Sequence, residues 1–220
     1  MTPSRYFDLI VFDWDGTLFD STALITRCIQ AACADLGTTV PNDEQASYVI
    51  GMGLSEALQH AAPLLPRERY RELGERYRHH YFARQHELVL FDGTQAMLRA
   101  LKARNHLLGV ATGKSRRGLD EALNTVDLHG LFDATRTADE TASKPDPRML
   151  NELMREFGAE PARTLMIGDT THDLQLARNA GTARVAVSYG AHDPEAFDSF
   201  EPLTIAHSTQ ELHDWLMQHA

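Results

Sequence analysis

Short apolar runs bounded by polar residues recur along the chain, and the apolar positions between them fall at helical spacing. The runs at 7–13 (FDLIVFD), 107–112 (LLGVAT), 164–169 (TLMIGD) and 183–190 (ARVAVSYG) predict buried parallel strands, with 202–208 (PLTIAHS) a weaker fifth. Met149, Leu150, Leu153, Met154 and Phe157 keep helical spacing, as do Leu119, Ala122, Leu123 and Val126. Ser208 with Glu211 forms a capping-box pattern that opens a last amphipathic helix through Leu212, Trp215 and Leu216. Strand–helix alternation of this kind predicts an α/β protein built on a doubly wound parallel sheet.

Residues 20–86 break the alternation. Leu24, Ile25, Cys28, Ile29, Ala32 and Leu36 form a helical stripe stopped by Gly37, and Tyr70, Leu73, Tyr77 and Tyr81 form another. A short helix from Ser55 lies between them. The pattern predicts a small helical bundle inserted after the first strand. The expected division is an α/β core of 1–19 and 87–220 carrying a helical domain of 20–86. Two flexible connections, near 18–22 and 85–92, would let the insert open and close.

Composition narrows the partners. At 220 residues the chain has room for one large domain or a domain with an insert. A formal charge of −10 argues against non-specific binding to nucleic acid or anionic membrane. No apolar run approaches the roughly 20 residues that span a bilayer. Asp8 and Asp13 interrupt the N-terminal apolar segment, which lacks a signal-peptide layout. The expectation is a cytoplasmic protein, monomeric or weakly dimeric, acting on a small molecule. Cys28 and Cys33 read as small core residues in a reducing compartment. His79-His80 reads as a solvated face. Only Lys102, Lys114 and Lys144 stand against eighteen arginines.

Candidate chemistry gathers at the strand ends, where open α/β sheets bind ligands. Asp13 ends the first strand, and Asp15, two residues on, leaves the chain on the same side. Asp15-Gly16 between apolar runs is equally a strong hairpin signal, so turn and active site both stand. Thr112-Gly113 ends the second run and Asp169 the third, with Asp173 about one helical turn further on. Lys144 sits in ASKPDP, where two prolines hold the loop before the Met149 helix. Each feature alone has a bland reading: a turn, a loop start, a helix cap, acids favoured by a helix dipole. Lys114 reads first as a surface lysine opening a helix, with work like that of Lys144 as its second reading. The ordered set, each member after its own strand, is far more specific.

That set, DWDGTLFDS (13–21), ATGKS (111–115), SKPDP (143–147) and GDTTHD (168–173), resembles the four motifs of the haloacid dehalogenase superfamily. The likeness is to its phosphoglycolate phosphatase-like members and runs from residue 7 to about 190. It implies a Rossmann-like core with an α-helical cap between the first two motifs, where 20–86 falls. It implies a nucleophile at Asp13 and a general acid and base at Asp15. Lys144, a catalytic residue, would hold phosphoryl oxygens with the substrate-binding Thr112 and Gly113. Asp13, Asp169 and the Asp15 carbonyl would bind Mg²⁺, Asp173 directly or through water. A cation is physically required, since each like-charge pair at ~4 Å costs about 4 kcal/mol at an effective dielectric of 20.

Departures from the pattern sort the alternatives. Asp15 argues against dehalogenation, because a halide leaves without a proton. Residues 18–91 contain no lysine, which excludes the family's Schiff-base hydrolases. Ile25 stands where the sugar phosphomutases carry a histidine. A phosphomutase or pyrophosphatase of the same fold and a non-catalytic phospho-receiver or scaffold remain as rivals. Phosphoglycolate is the first expectation for substrate, with pyrophosphate, nucleotides and sugar phosphates open. The GMG stretch at 51–53 is either a substrate-facing loop or a plain turn. Arg27 and His60 are polar cap candidates without a place.

Overall fold

Leu9, Ile10, Val11 and Phe12 are wholly buried, as a strand covered on both faces must be. They form β1 (Leu9–Phe12) in a computed structural model that describes residues 6–126, 128 and 130–220. After β1 come α1 (Thr22–Asp35), α2 (Asp43–Tyr48), α3 (Leu54–Ala61) and α4 (Tyr70–Arg84). The chain returns through α5 (Thr94–Ala103) to β2 (Leu107–Thr112), α6 (Arg116–Thr125), β3 (Ala134–Thr137) and α7 (Arg148–Phe157). It closes with β4 (Thr164–Gly168), α8 (Thr171–Ala180), β5 (Ala183–Val187), β6 (Ile205–Ala206) and α9 (Thr209–His219).

The six strands run in the order β3-β2-β1-β4-β5-β6, every neighbouring pair parallel. This is the doubly wound order expected from the alternation. Side chains divide the two faces by their period of two. Leu9 and Val11 pack with Met149 and Leu153 of α7 and Leu176 of α8. Ile10 and Phe12 pack with Leu98 of α5 and Leu212 and Leu216 of α9.

Five strands are predicted and six are present among the described residues. The missed β3 reads Ala-Thr-Arg-Thr and only Thr137 is buried. It lies at the sheet edge beside β2, where one side is solvated and no apolar run is needed. The weak fifth run shortens to the two residues of β6. Ser208 caps α9 by accepting from Glu211 N, but the Glu211 carboxylate accepts from His207 N at 2.6 Å, so the reciprocal bond of a full box shifts one residue. Full boxes are found instead at Asn42 and Gln45, opening α2, an element not predicted, and at Thr170 and Asp173, opening α8.

Helix α1 lies along α4 and buries Leu24, Ile25, Cys28 and Ile29 against Leu73 and Tyr81. Both cysteines are buried free thiols. The two connections to the helical insert run side by side: Asp20 N donates to Val89 O (2.9 Å) and Phe91 N to Leu18 O (3.1 Å). Among the described residues no helix is long and apolar enough to cross a membrane.

Leu153 lies over Gly109 of β2, where a Cβ would come within 3.3 Å of its Cδ1. Leu153→Ala should therefore cost about 2–5 kcal/mol, read by urea unfolding. A loss below about 0.5 kcal/mol would mean that α7 does not anchor that face.

Candidate active site

Backbone pairing places the first two acids. Because β1 and β4 are neighbours in register Phe12↔Ile167, the residues that follow them emerge side by side at one sheet edge. Asp13 N still donates to Ile167 O (2.9 Å), and Asp169 follows Gly168. Asp173 sits in the first turn of α8, where its Oδ2 accepts from Thr170 N and Oγ1 in a capping box. Thr112 ends β2, and Lys144 comes from the loop before α7. Asp13, Asp169 and Asp173 are all buried, and each offers a carboxylate oxygen within 4.8 Å of the others.

The electrostatics are severe. Lys144 Nζ, fully buried, lies 2.7 Å from Asp13 Oδ1 and 2.6 Å from Asp173 Oδ1. Burial works against its charge, but Asp13 and Asp173 outweigh it and hold its pKa above the ordinary lysine value. Asp13 and Asp169 are pushed well above the usual carboxylate range, by burial first and by the neighbouring carboxylates as well. Asp169 is the better solvated by the protein, accepting from Thr17 Oγ1 and Ala191 N, both at 2.8 Å. Neither oxygen of Asp13 receives a well-directed hydrogen bond among the described residues. A buried, all-oxygen, over-anionic cluster is the donor set that a hard divalent cation fits.

Turn and site coincide at Asp15. Leu18 N and Phe19 N both donate to Trp14 O, and Gly16 takes φ +84° to close the turn. A Cβ on Gly16 would sit 2.1 Å from Asp169 Oδ2, so glycine also lets the turn lie against that acid. Trp14 points the other way, into the core against Phe19.

The reading of Lys114 as a surface residue is corrected. Its side chain is only 10% exposed, and Nζ lies 2.9 and 3.0 Å from the two oxygens of Asp15. It also donates to Tyr81 Oη on α4 (3.0 Å). Ser115, not Lys114, caps α6, accepting from Gly118 N. The residue was misplaced because its partners come from the first strand end and from the inserted helices. Ser21 Oγ completes the clamp on Asp15 at 2.7 Å.

The GMG turn between α2 and α3 seats on the strand-end loops. Gly53 N donates to Ser143 Oγ (2.8 Å), beside Lys144. A Cβ at Gly113 would come within 2.3 Å of Met52 O and 2.5 Å of Gly51 O. Behind it, Tyr48 O accepts from two imidazoles, His172 Nε2 (2.8 Å) and His192 Nε2 (2.9 Å), while the His192 ring stacks on Tyr48. His192 Nδ1 accepts from Thr171 N (3.1 Å), so its proton is on Nε2 and the ring is neutral. Burial, with His172 beside it, pushes its pKa down to about 4. A cavity of ≈ 330 Å³ runs from Asp13, Asp15, Thr112 and Gly113 up to the inserted helices. Arg27 and His60 do not line it; Arg78, which the sequence did not single out, does. Tyr81, Tyr48 and His192 were missed too, although His172 lies inside the GDTTHD motif.

Comparison with known proteins adds the lineage. The family model described as haloacid dehalogenase-like hydrolase matches residues 10–187. This chain is a haloacid dehalogenase-like hydrolase. It is 31% identical over 203 residues to the phosphoglycolate phosphatase of Aliivibrio fischeri, covering 88% of this chain and 89% of that one. It is 28% identical over 210 residues to the pyrophosphatase PpaX of Halalkalibacterium halodurans, covering 93% and 94%. A solved hydrolase from Pseudomonas syringae superposes with a TM-score of 0.86 at 23% identity, over 96% of this chain and 98% of that one. The Rossmann-like core of haloacid dehalogenase-like hydrolases is thus the fold of this chain.

Two outcomes follow from this geometry. Gly113→Ala should leave the fold intact while unseating the GMG turn, lowering kcat/KM for any substrate of the cavity about a hundredfold. An unchanged kcat/KM would show that the turn need not seat. The unfolded chain protonates His192 near 6.5, whereas the folded one resists until about 4. Its contribution to stability is therefore full above the unfolded value and lost as pH falls, by about 2 kcal/mol between pH 7 and 5. His192→Gln should flatten that part of the urea-stability profile, and parallel profiles would refute a neutral His192.

Proposed function

We propose that this chain is a Mg²⁺-dependent phosphatase that hydrolyses a small phosphomonoester through an aspartyl-phosphate on Asp13. The observation that carries the reading is the state of Asp13. Its carboxylate is buried at the floor of the cavity, paired with Lys144, and neither oxygen is engaged in a well-directed hydrogen bond. A nucleophile needs such an available lone pair. Asp13, Asp169 and Asp173, with the Asp15 carbonyl, would hold Mg²⁺, which supplies charge neutralisation for the phosphoryl oxygens.

In the first step an Asp13 oxygen attacks phosphorus and the P–O bond to the leaving group breaks. Asp15 gives its proton to the departing oxygen. The resulting Asp15 carboxylate is the form that Lys114 pairs and Ser21 orients. In the second step water attacks the phosphorus and passes its proton to Asp15, the P–O bond to Asp13 breaks, and phosphate leaves. Asp15 ends as it began. Thr112 and Gly113 line the cavity beside Asp13, where the phosphoryl oxygens would sit, and Lys144, 2.7 Å from Asp13 Oδ1, would supply positive charge. The similarity to a phosphoglycolate phosphatase and to a pyrophosphatase supports phosphoryl hydrolysis. Phosphoglycolate, suggested by the family resemblance, is the first substrate to assay, with pyrophosphate, which the second relative supports, beside it.

Asp13→Asn keeps the shape and removes the nucleophile. Turnover of p-nitrophenyl phosphate should fall at least about a thousandfold, with the circular dichroism spectrum unchanged. Chelation by EDTA should abolish turnover and added Mg²⁺ restore it. Retained activity in the variant would move the nucleophile elsewhere, and no turnover by the folded wild type with Mg²⁺ would leave the receiver or scaffold reading.

A further inference from the structure

The cavity that joins the strand ends to the inserted helices has two unlike halves. Its floor carries Asp13, Asp15, Thr112 and Lys114. Its upper wall is made by buried Ile25 and Ile29 of α1, Val49 and Ile50 before the GMG turn, and the stacked rings of Tyr77 and Tyr81. The helical insert has no lysine to offer, and its one cationic group on the wall, Arg78, is exposed and so lies at the rim.

Charge disfavours a second anion on the leaving group. With Asp15 protonated for the first step, Asp13, Asp169 and Asp173 face the two ammoniums of Lys114 and Lys144 among the described residues, which leaves one net negative charge in a buried site. A divalent cation and a phosphate dianion together would leave that charge in place. Both lysines are already paired, and Asp139 on the same wall adds a further acid. A carboxylate or second phosphate on the leaving group would enter a mainly apolar chamber with no unpaired buried cation to meet it, a placement that costs several kcal/mol.

We infer that the substrate of this site is a phosphomonoester with a neutral, mainly apolar leaving group of about one ring, seated between α1 and the Tyr77–Tyr81 pair. The inference rests on the phosphatase reading above and adds the leaving group to it. A volume of ≈ 330 Å³ is at the small end of ligand pockets and accommodates the phosphoryl group and one ring. The two tyrosine rings, 6.0 Å apart between centroids, offer a flat aromatic wall. The Tyr77 hydroxyl has no hydrogen-bond partner among the described residues and offers the wall one polar contact.

The test ranks kcat/KM of the full chain with Mg²⁺ for benzyl phosphate, glycerol 3-phosphate, 2-phosphoglycolate and pyrophosphate. Benzyl and glycerol phosphates both release unactivated alkoxides, so their ratio reports the cavity rather than leaving-group acidity. Benzyl phosphate should exceed each of the others by about tenfold or more. Turnover with an equal or reversed ranking overturns the apolar leaving group and keeps the phosphatase; no turnover of any of the four defeats the phosphatase reading itself. Calorimetric titration of Asp13→Asn with benzylphosphonate and with phosphonoacetate reads the cavity independently of turnover. Tighter benzylphosphonate supports the inference, and equal or weaker binding overturns it.

Discussion

Lys144 between Asp13 and Asp173 is the contact on which the rest of the site depends. One fully buried ammonium holds two buried carboxylates at 2.7 and 2.6 Å, while a third, Asp169, stays within reach of both. Removing any one partner from such a cluster strands a charge in the interior, where desolvation is far larger than on the surface. Every surrounding feature serves to keep the cluster together. The β1–β4 pairing sets Asp13 beside Asp169, the Thr170 cap fixes Asp173, and Thr17 with Ala191 N holds Asp169.

The same constraint explains why the helical insert sits where it does. Lys114 pairs with Asp15, yet it also donates to Tyr81 on the insert, so the insert contributes to placing Asp15. The GMG turn covers Gly113 and reaches Ser143, next to Lys144. The Tyr48 carbonyl, held by the imidazoles of His172 and His192, fastens the other end. Water is thereby limited around the acids, which strengthens the electrostatics that phosphoryl transfer needs. A side chain at Gly113 would prevent that approach.

Much of this was legible in local pattern. The alternation of period two and helical spacing named four strand ends correctly, and the acids at two of them with Lys144 identified the cluster. What failed were elements whose sequence carries little local signal. Strand β3 is an edge strand with no apolar run, and α2 is six residues long, although its Asn42–Gln45 box was readable. Arg78 lines the cavity while Arg27 and His60 do not, because which helix face meets the core depends on how the insert docks.

The sequence by itself determined the strand ends, their order along the chain and the residue types standing there, since these depend on periodicity and on chain connectivity alone. It also carried the family. Only the tertiary structure decided what those residues touch. Lys114 meets Asp15 from 99 positions away and Tyr81 from 33, and His192 meets Tyr48 from 144. Contacts of that range are set by the docking of the insert on the sheet edge. That docking is selected by the summed packing and charge of both parts, which no local stretch of sequence encodes.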